Sequence, residues 1–210
     1  MKKGLTLYIS IGGYIIRVIF DRATTPLYHH FRESLIKTIR VYYKSFILTE
    51  HPKEFDFTIQ LTDTHFPKLV QIENPSYKNR VFIDAGILQN SLLVSNYQIS
   101  QFQFAHFIHF AVNALLKKSG GAVFHASSCM VNGRIHVFFA PSGGGKSTIM
   151  QILRSSRGVK PFSDEFIILK MEGSGIIAYQ MPLIEKNRSL NGREIVMYFK
   201  KPKCGGALIP

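Results

Sequence analysis

Along this chain alternating apolar and polar positions give way to helical spacing, then return, and the changes of period mark out its elements. Residues 4–20, LTLYIS-IGG-YIIRVIF, read as two short strands turned at Ile11-Gly12-Gly13. Leu27, Phe31, Leu35, Ile39 and Tyr42 or Tyr43 then recur at helical spacing, which predicts a helix over residues 26–46 with His29 and His30 in surface or packing roles. Residues 55–61 alternate and predict a half-buried strand. Shorter apolar runs at 69–72, 81–83 and 91–94, punctuated by Asn-Pro, Gly and Asn, predict three more.

The widest apolar stripe is Phe104, Phe107, Ile108, Ala111, Leu115 and Leu116. It predicts a helix over residues 101–118, stopped by Gly120-Gly121. This helix is expected to pack a first lobe, residues 1–118, against a second, residues 119–210. His106 and His109 flank the stripe three residues apart, but no third ligand lies near them in sequence, so packing is expected rather than a metal site. In the second lobe, residues 121–124, 135–139, 166–169 and 176–181 read as strands, Gly173-Ser174-Gly175 as a turn, 182–191 as a charged loop and 194–199 as a last strand. The terminal KPKCGGALIP carries no helix signal. The fold class expected is α/β, a small α/β lobe followed by a nucleotide-binding core with a mixed sheet.

The chemistry concentrates in residues 124–169. At the centre lies Ala140-Pro141-Ser142-Gly143-Gly144-Gly145-Lys146-Ser147, a phosphate-binding loop with Ala in place of the first Gly. The β-prone run 135–139, bounded by the turn signal Asn132-Gly133, precedes it. A helical segment, 147–155, follows, with Ile149, Ile152 and Leu153 expected on one apolar face. Strand, loop and helix in that order let backbone N–H groups of Ser142, Gly143, Gly144, Gly145, Lys146, Ser147 and Thr148 close around anionic oxygens. Lys146 would reach the β- and γ-phosphates, and the Ser147 hydroxyl would ligate Mg²⁺. Asp164-Glu165, eighteen and nineteen residues after Lys146, can hold Mg²⁺ or accept a hydroxyl proton. His125 ends a predicted strand fifteen positions before Ala140.

Composition adds bounds. The chain has 210 residues, 46% hydrophobic, with no run apolar enough to span a membrane and no clear signal peptide. Cys129 and Cys204 form no disulfide framework or metal spacing, which fits a cytoplasmic protein. The net charge of +13 exceeds what nucleotide phosphates neutralise and suggests an acidic peptide or protein partner, or a solvated basic surface. Nucleic acid ranks last, because the basic residues are scattered without a recognition motif.

Taken together, His125-Ala126-Ser127, the loop, and Ser163-Asp164-Glu165 resemble the catalytic core of HPr kinase/phosphorylase-like proteins, whose fold is related to phosphoenolpyruvate carboxykinase. Ala178-Tyr179-Gln180-Met181-Pro182 is similar to the strand-then-Pro region of compact members. The resemblance implies ATP and Mg²⁺ as cofactors and transfer of the γ-phosphoryl group to a hydroxyl, with serine of a peptide or protein leading. It implies Asp164 as the catalytic base, Glu165 with Ser147 as Mg²⁺ ligands, Lys146 on the phosphates and His125 beside the γ-phosphate. Lys186, Arg188 or Arg193 would be further cations, weighed against exposed loop charges. No Gly-rich segment for docking HPr is present, so HPr is not the expected acceptor. Family members continue further, so a minimal or C-terminally truncated core is expected. Two alternatives stay open, a non-catalytic nucleotide-binding module that binds an acidic peptide or regulates a partner, and a kinase of a small serine-type metabolite. A homo-oligomer is compatible with either.

Overall fold

The computed structural model describes residues 4–66, 69–74, 79–89, 91–182 and 207–209. The first half opens with a hairpin, β1 (Leu5–Ile11) and β2 (Tyr14–Phe20), followed by α1 (Pro26–Tyr42) and β3 (Phe57–Thr62). Next come β4 (Leu69–Asn74), β5 (Asn79–Gln89) and β6 (Leu92–Asn96), then the long helix α2 (Gln101–Ser119). These strands form one mixed sheet in the order β1-β2-β3-β6-β5-β4, parallel at β2–β3 and β3–β6 and antiparallel elsewhere.

Local chemistry sets these elements. Gly12 and Gly13 both have positive φ, 62° and 80°, which a two-residue turn between twisted strands requires. Along β2, Tyr14, Ile16, Val18 and Phe20 are buried while the intervening residues are not, as period two demands. Helix α1 begins where the Thr25 side chain accepts a hydrogen bond from the Tyr28 N–H, with Pro26 just inside. Arg32, Leu35, Ile36 and Ile39 are its buried positions, while Leu27 in the first turn is exposed. The strand expected from Phe55 starts at Phe57 instead. The Asp56 carboxylate accepts from the Ile15 N–H at 2.7 Å, and Phe55 lies under the Arg17 guanidinium, 3.7 Å from its ring centroid. At the end of β2, Asp21 ties three elements together. Its carbonyl accepts from Arg32 Nε and the Tyr97 hydroxyl, and its carboxylate from the Gln60 amide at 2.7 Å.

The second half contains β7 (Gly121–His125), β8 (Ser127–Val131), β9 (Arg134–Phe138), α3 (Lys146–Arg154), β10 (Val159–Ser163), β11 (Phe166–Glu172), β12 (Gly175–Gln180) and β13 (Ala207–Ile209). Two sheets result, β10-β8-β9 and β13-β12-β11-β7. The fold is α/β as expected, but every pairing among the described residues of this half is antiparallel and the mixed sheet lies in the first half. The reason is connectivity, since β8 and β9 are joined by the tight Asn132-Gly133 turn, with φ of 49° and 80°. The short strand β13 on β12 falls in the terminal segment, for which the residue pattern gives no helix signal. The expected loop beyond Pro182, the strand at 194–199, Lys186, Arg188, Arg193 and Cys204 lie outside the described residues.

Helix α2 joins the halves, touching β2, β4 and β5 on one side and β7 and β11 on the other. Its buried residues therefore go beyond a single stripe and include His106 and His109 with Phe104, Phe107, Ile108, Ala111, Val112 and Leu116. One continuous core runs from Leu7 in β1 to Val123, Phe166, Ile168 and Met181. Tyr14 reinforces the junction by hydrogen-bonding Ser119, and the Lys170 ammonium lies 4.8 Å from its ring centroid. Among the described residues no helix is long and apolar enough to cross a membrane.

His106 and His109 are both buried in α2, and His109 carries a pH dependence. Burial, with a smaller contribution from His106, lowers the His109 pKa from its ordinary 6.5 to about 3. The unfolded chain would take up the proton as pH falls through about 6.5 while the folded chain resists it, so stability present above 6.5 is lost progressively below it. At pH 5 the loss is on the order of 2 kcal/mol, which corresponds to a melting temperature lower by several degrees. His109→Leu, which cannot titrate, should show a smaller melting-temperature drop between pH 7.5 and pH 5. An equal drop in both proteins would show that His109 is not the titrating group.

Candidate functional site

The segments singled out in the sequence meet at one edge of the second half. After β9, residues 140–145 form the loop and α3 starts at Lys146. The loop closes on itself, with the Gly144 N–H donating to the Pro141 carbonyl at 3.0 Å. A Cβ at Gly144 would lie 2.8 Å from that of Ala140 and 3.0 Å from the Pro141 oxygen, so only glycine fits there. Gly145 caps α3 in a left-handed conformation, φ 83°, and no side chain fills the first-turn N–H groups. Such a turn is open to an anion.

Lys146 is buried, 8% exposed, and its ammonium curls back to donate to the Ala140 carbonyl at 2.6 Å and the Pro141 carbonyl at 3.1 Å. The side chain therefore spans the loop from its far end. Ser142, Gly143, Ser147 and Thr148 are exposed around it. The expected apolar face of α3 is not the buried one. Ile149 and Ile152 are 40% and 63% exposed, and Met150 is buried in their stead. Burial of Lys146 sets the phase of this nine-residue helix, and Met150, one turn on, shares that face.

His125 ends β7 directly opposite Phe166 of β11. Phe166 contacts both histidines of the junction, at 4.7 Å between ring centroids for His109 and 5.6 Å for His125. Burial first, and the Lys146 charge second, hold the His125 imidazole below its ordinary pKa, favouring the neutral ring. Asp164 and Glu165 form the bend between β10 and β11. The Glu165 carbonyl accepts from the Ala126 N–H at 3.0 Å, which binds the bend to the residue after His125.

Two residues to which motif and spacing assign no role hold Asp164. The buried Ser127 hydroxyl contacts its carbonyl at 3.0 Å and its Oδ1 at 3.2 Å, while Arg154 Nη2 pairs with Oδ2 at 3.0 Å. Arg154 follows Met150 by one turn and Ser147 by two, on the helix face that meets β8 and β10. Helical spacing could have placed Arg154 beside Ser147, but it takes the β8–β10 and β7–β11 pairings to bring Ser127 to Asp164.

The arrangement combines a glycine-rich loop at a helix N-terminus, a buried ammonium, an imidazole biased toward its neutral form and a carboxylate held by two side chains. Among the described residues no three His, Cys, Asp or Glu side chains gather into a metal cage. No protein-family model matches the chain, and no curated protein matches it.

Proposed function

We propose that the chain is a Mg²⁺-ATP-dependent kinase that transfers the γ-phosphoryl group to a hydroxyl, with serine of a peptide or protein as the leading acceptor, in the manner of HPr kinase/phosphorylase-like proteins. What carries the reading is the meeting of three distant segments. Lys146 acts electrostatically on His125, and residues 125–127 are bonded to the bend that bears Asp164. Phosphoryl transfer needs these parts together, because its catalysis is positioning and charge neutralisation.

In this reading the N–H groups of residues 142–148 and the Lys146 ammonium bind the β- and γ-phosphates. His125, kept neutral, donates a hydrogen bond beside the γ-phosphate. Asp164 accepts the proton of the attacking hydroxyl at its carboxylate, which Ser127 and Arg154 hold in place. Ser147 and Glu165 would hold Mg²⁺ from the protein side, with oxygen donors of the kind that ion takes. When bound, the ion would neutralise charge on the phosphate oxygens.

The Arg154–Asp164 pair favours a second reading. Arg154 occupies Asp164 Oδ2 and the Ser127 hydroxyl lies on Oδ1, which leaves less of the carboxylate to meet an acceptor hydroxyl, as expected of a module that binds nucleotide without turnover. Incubating the purified protein with labelled ATP, Mg²⁺ and serine-bearing peptides, acidic ones included, or free serine separates the two. Label on an acceptor hydroxyl supports the kinase and identifies its substrate class. Nucleotide binding without label on any acceptor supports the module.

A further inference from the structure

We propose that Phe139 and Phe124 form the base-stacking subsite for the nucleotide whose phosphates the loop accepts. The inference rests on the phosphate-loop reading and adds the part of the ligand which that reading leaves without a partner. Phe139 is 59% exposed and Phe124 38% exposed. Phe124 lies in β7 and Phe139 one residue past β9, yet they meet edge to face, with centroids 5.6 Å apart and planes at 82°. This geometry leaves a face of the more exposed ring open to a flat partner.

Each ring adjoins a residue that interacts with Lys146. Phe139 immediately precedes Ala140, whose carbonyl accepts from the Lys146 ammonium. Phe124 immediately precedes His125, whose imidazole senses the same charge. Three Cα steps of about 3.8 Å separate Phe139 from Ser142, so the ring lies within a sugar and a phosphate of the anion-accepting turn. Alternation puts Phe124 on the face of β7 opposite His125. Both β7 and β9 end their sheets, so a ligand that passes the edge from the loop side meets the aromatic pair. A purine or pyrimidine has the flat aromatic surface these rings match, and stacking of this kind tolerates any base.

The competing role is closure of the gap between two sheet edges, for which any apolar side chain would serve. Calorimetric titration of Mg²⁺-ATP and of Mg²⁺-tripolyphosphate into the wild type, Phe139→Leu, Phe139→Trp and Phe124→Leu tests the difference. The expected result is ATP bound roughly tenfold or more weakly by Phe139→Leu, a smaller loss in Phe124→Leu, and retention in Phe139→Trp. Tripolyphosphate, having no base, should bind all four proteins alike. Equal ATP affinity in Phe139→Leu and wild type would overturn the subsite and leave the loop standing. Equal weakening for both ligands would likewise assign the rings a structural role. A wild type that binds neither ligand would overturn the loop reading, and the subsite with it.

Discussion

Replacing Lys146 by Ala is expected to abolish stabilisation of the protein by Mg²⁺-ATP. In the free protein the Lys146 ammonium is buried and held by the carbonyls of Ala140 and Pro141. A buried ammonium needs such partners, and the same position would serve phosphate oxygens once an anion enters the turn. The truncation therefore removes a cation from the ligand and a brace from the loop. At a ligand concentration of about 100 Kd, binding stabilises the native state by about 2.7 kcal/mol. For a chain of this size that is a melting-temperature rise of about 5–10 °C. A hundredfold weaker Kd in Lys146→Ala would cut the rise to about 1 °C. Lys146→Met, which keeps the aliphatic stem, should behave the same way if charge is what matters. Each variant's melting point without nucleotide provides its own reference. A rise as large as that of the wild type would remove the phosphate-loop assignment and the kinase reading with it.

Much of the framework is legible in the amino-acid sequence. The Asn132-Gly133 dipeptide marks a turn because few other pairs accept positive φ at both positions. Gly120, left-handed with φ 72°, ends α2 where the apolar spacing stops. Helix α2 also packs both halves, as its broad stripe suggests. Spacing identifies residues that share a face, however, and does not say which face a neighbour covers. Ile149 and Ile152 share an apolar face that spacing turns inward, yet they lie outward, because Lys146 fixes the phase of α3. Leu27 departs from its pattern similarly, at the exposed first turn of α1. The mixed sheet lies in the first half because strand direction depends on how connections return, which local pattern does not encode. Within the site, motif and spacing point to His125, Lys146 and Asp164 but not to Ser127 and Arg154 as the groups that hold the carboxylate. Those roles arise from pairings across thirty-seven and ten residues. They therefore become visible only once the strands of this half have paired and α3 has packed against β10.

The larger consequence concerns Asp164. If the chain is the proposed kinase, Asp164→Asn should reduce phosphoryl transfer by about 10²–10⁴-fold, the range for loss of a positioned general base, while leaving the Mg²⁺-ATP melting shift nearly intact. The substitution keeps the side-chain shape and an oxygen for Ser127, so the bend between β10 and β11 should persist. It removes the charge opposite Arg154. That pair is partly exposed, with side-chain accessibilities of 31% and 21%, so its loss should cost less than about 1 kcal/mol of folding stability. A large fall in transfer with little change in melting or nucleotide binding would therefore locate the effect in the chemical step. Arg154→Met separates positioning from proton acceptance. If the guanidinium chiefly orients the carboxylate, this variant should also lose transfer, with partial recovery in Arg154→Lys, which restores a cation without the planar fork. If the pair instead withholds the carboxylate from the acceptor, Arg154→Met should transfer faster than the wild type. Either outcome keeps Asp164 at the centre of the chemistry. Transfer at the wild-type rate by Asp164→Asn would remove it, and the proton would then have to leave the hydroxyl by another route, with His125 beside Lys146 the next group to test.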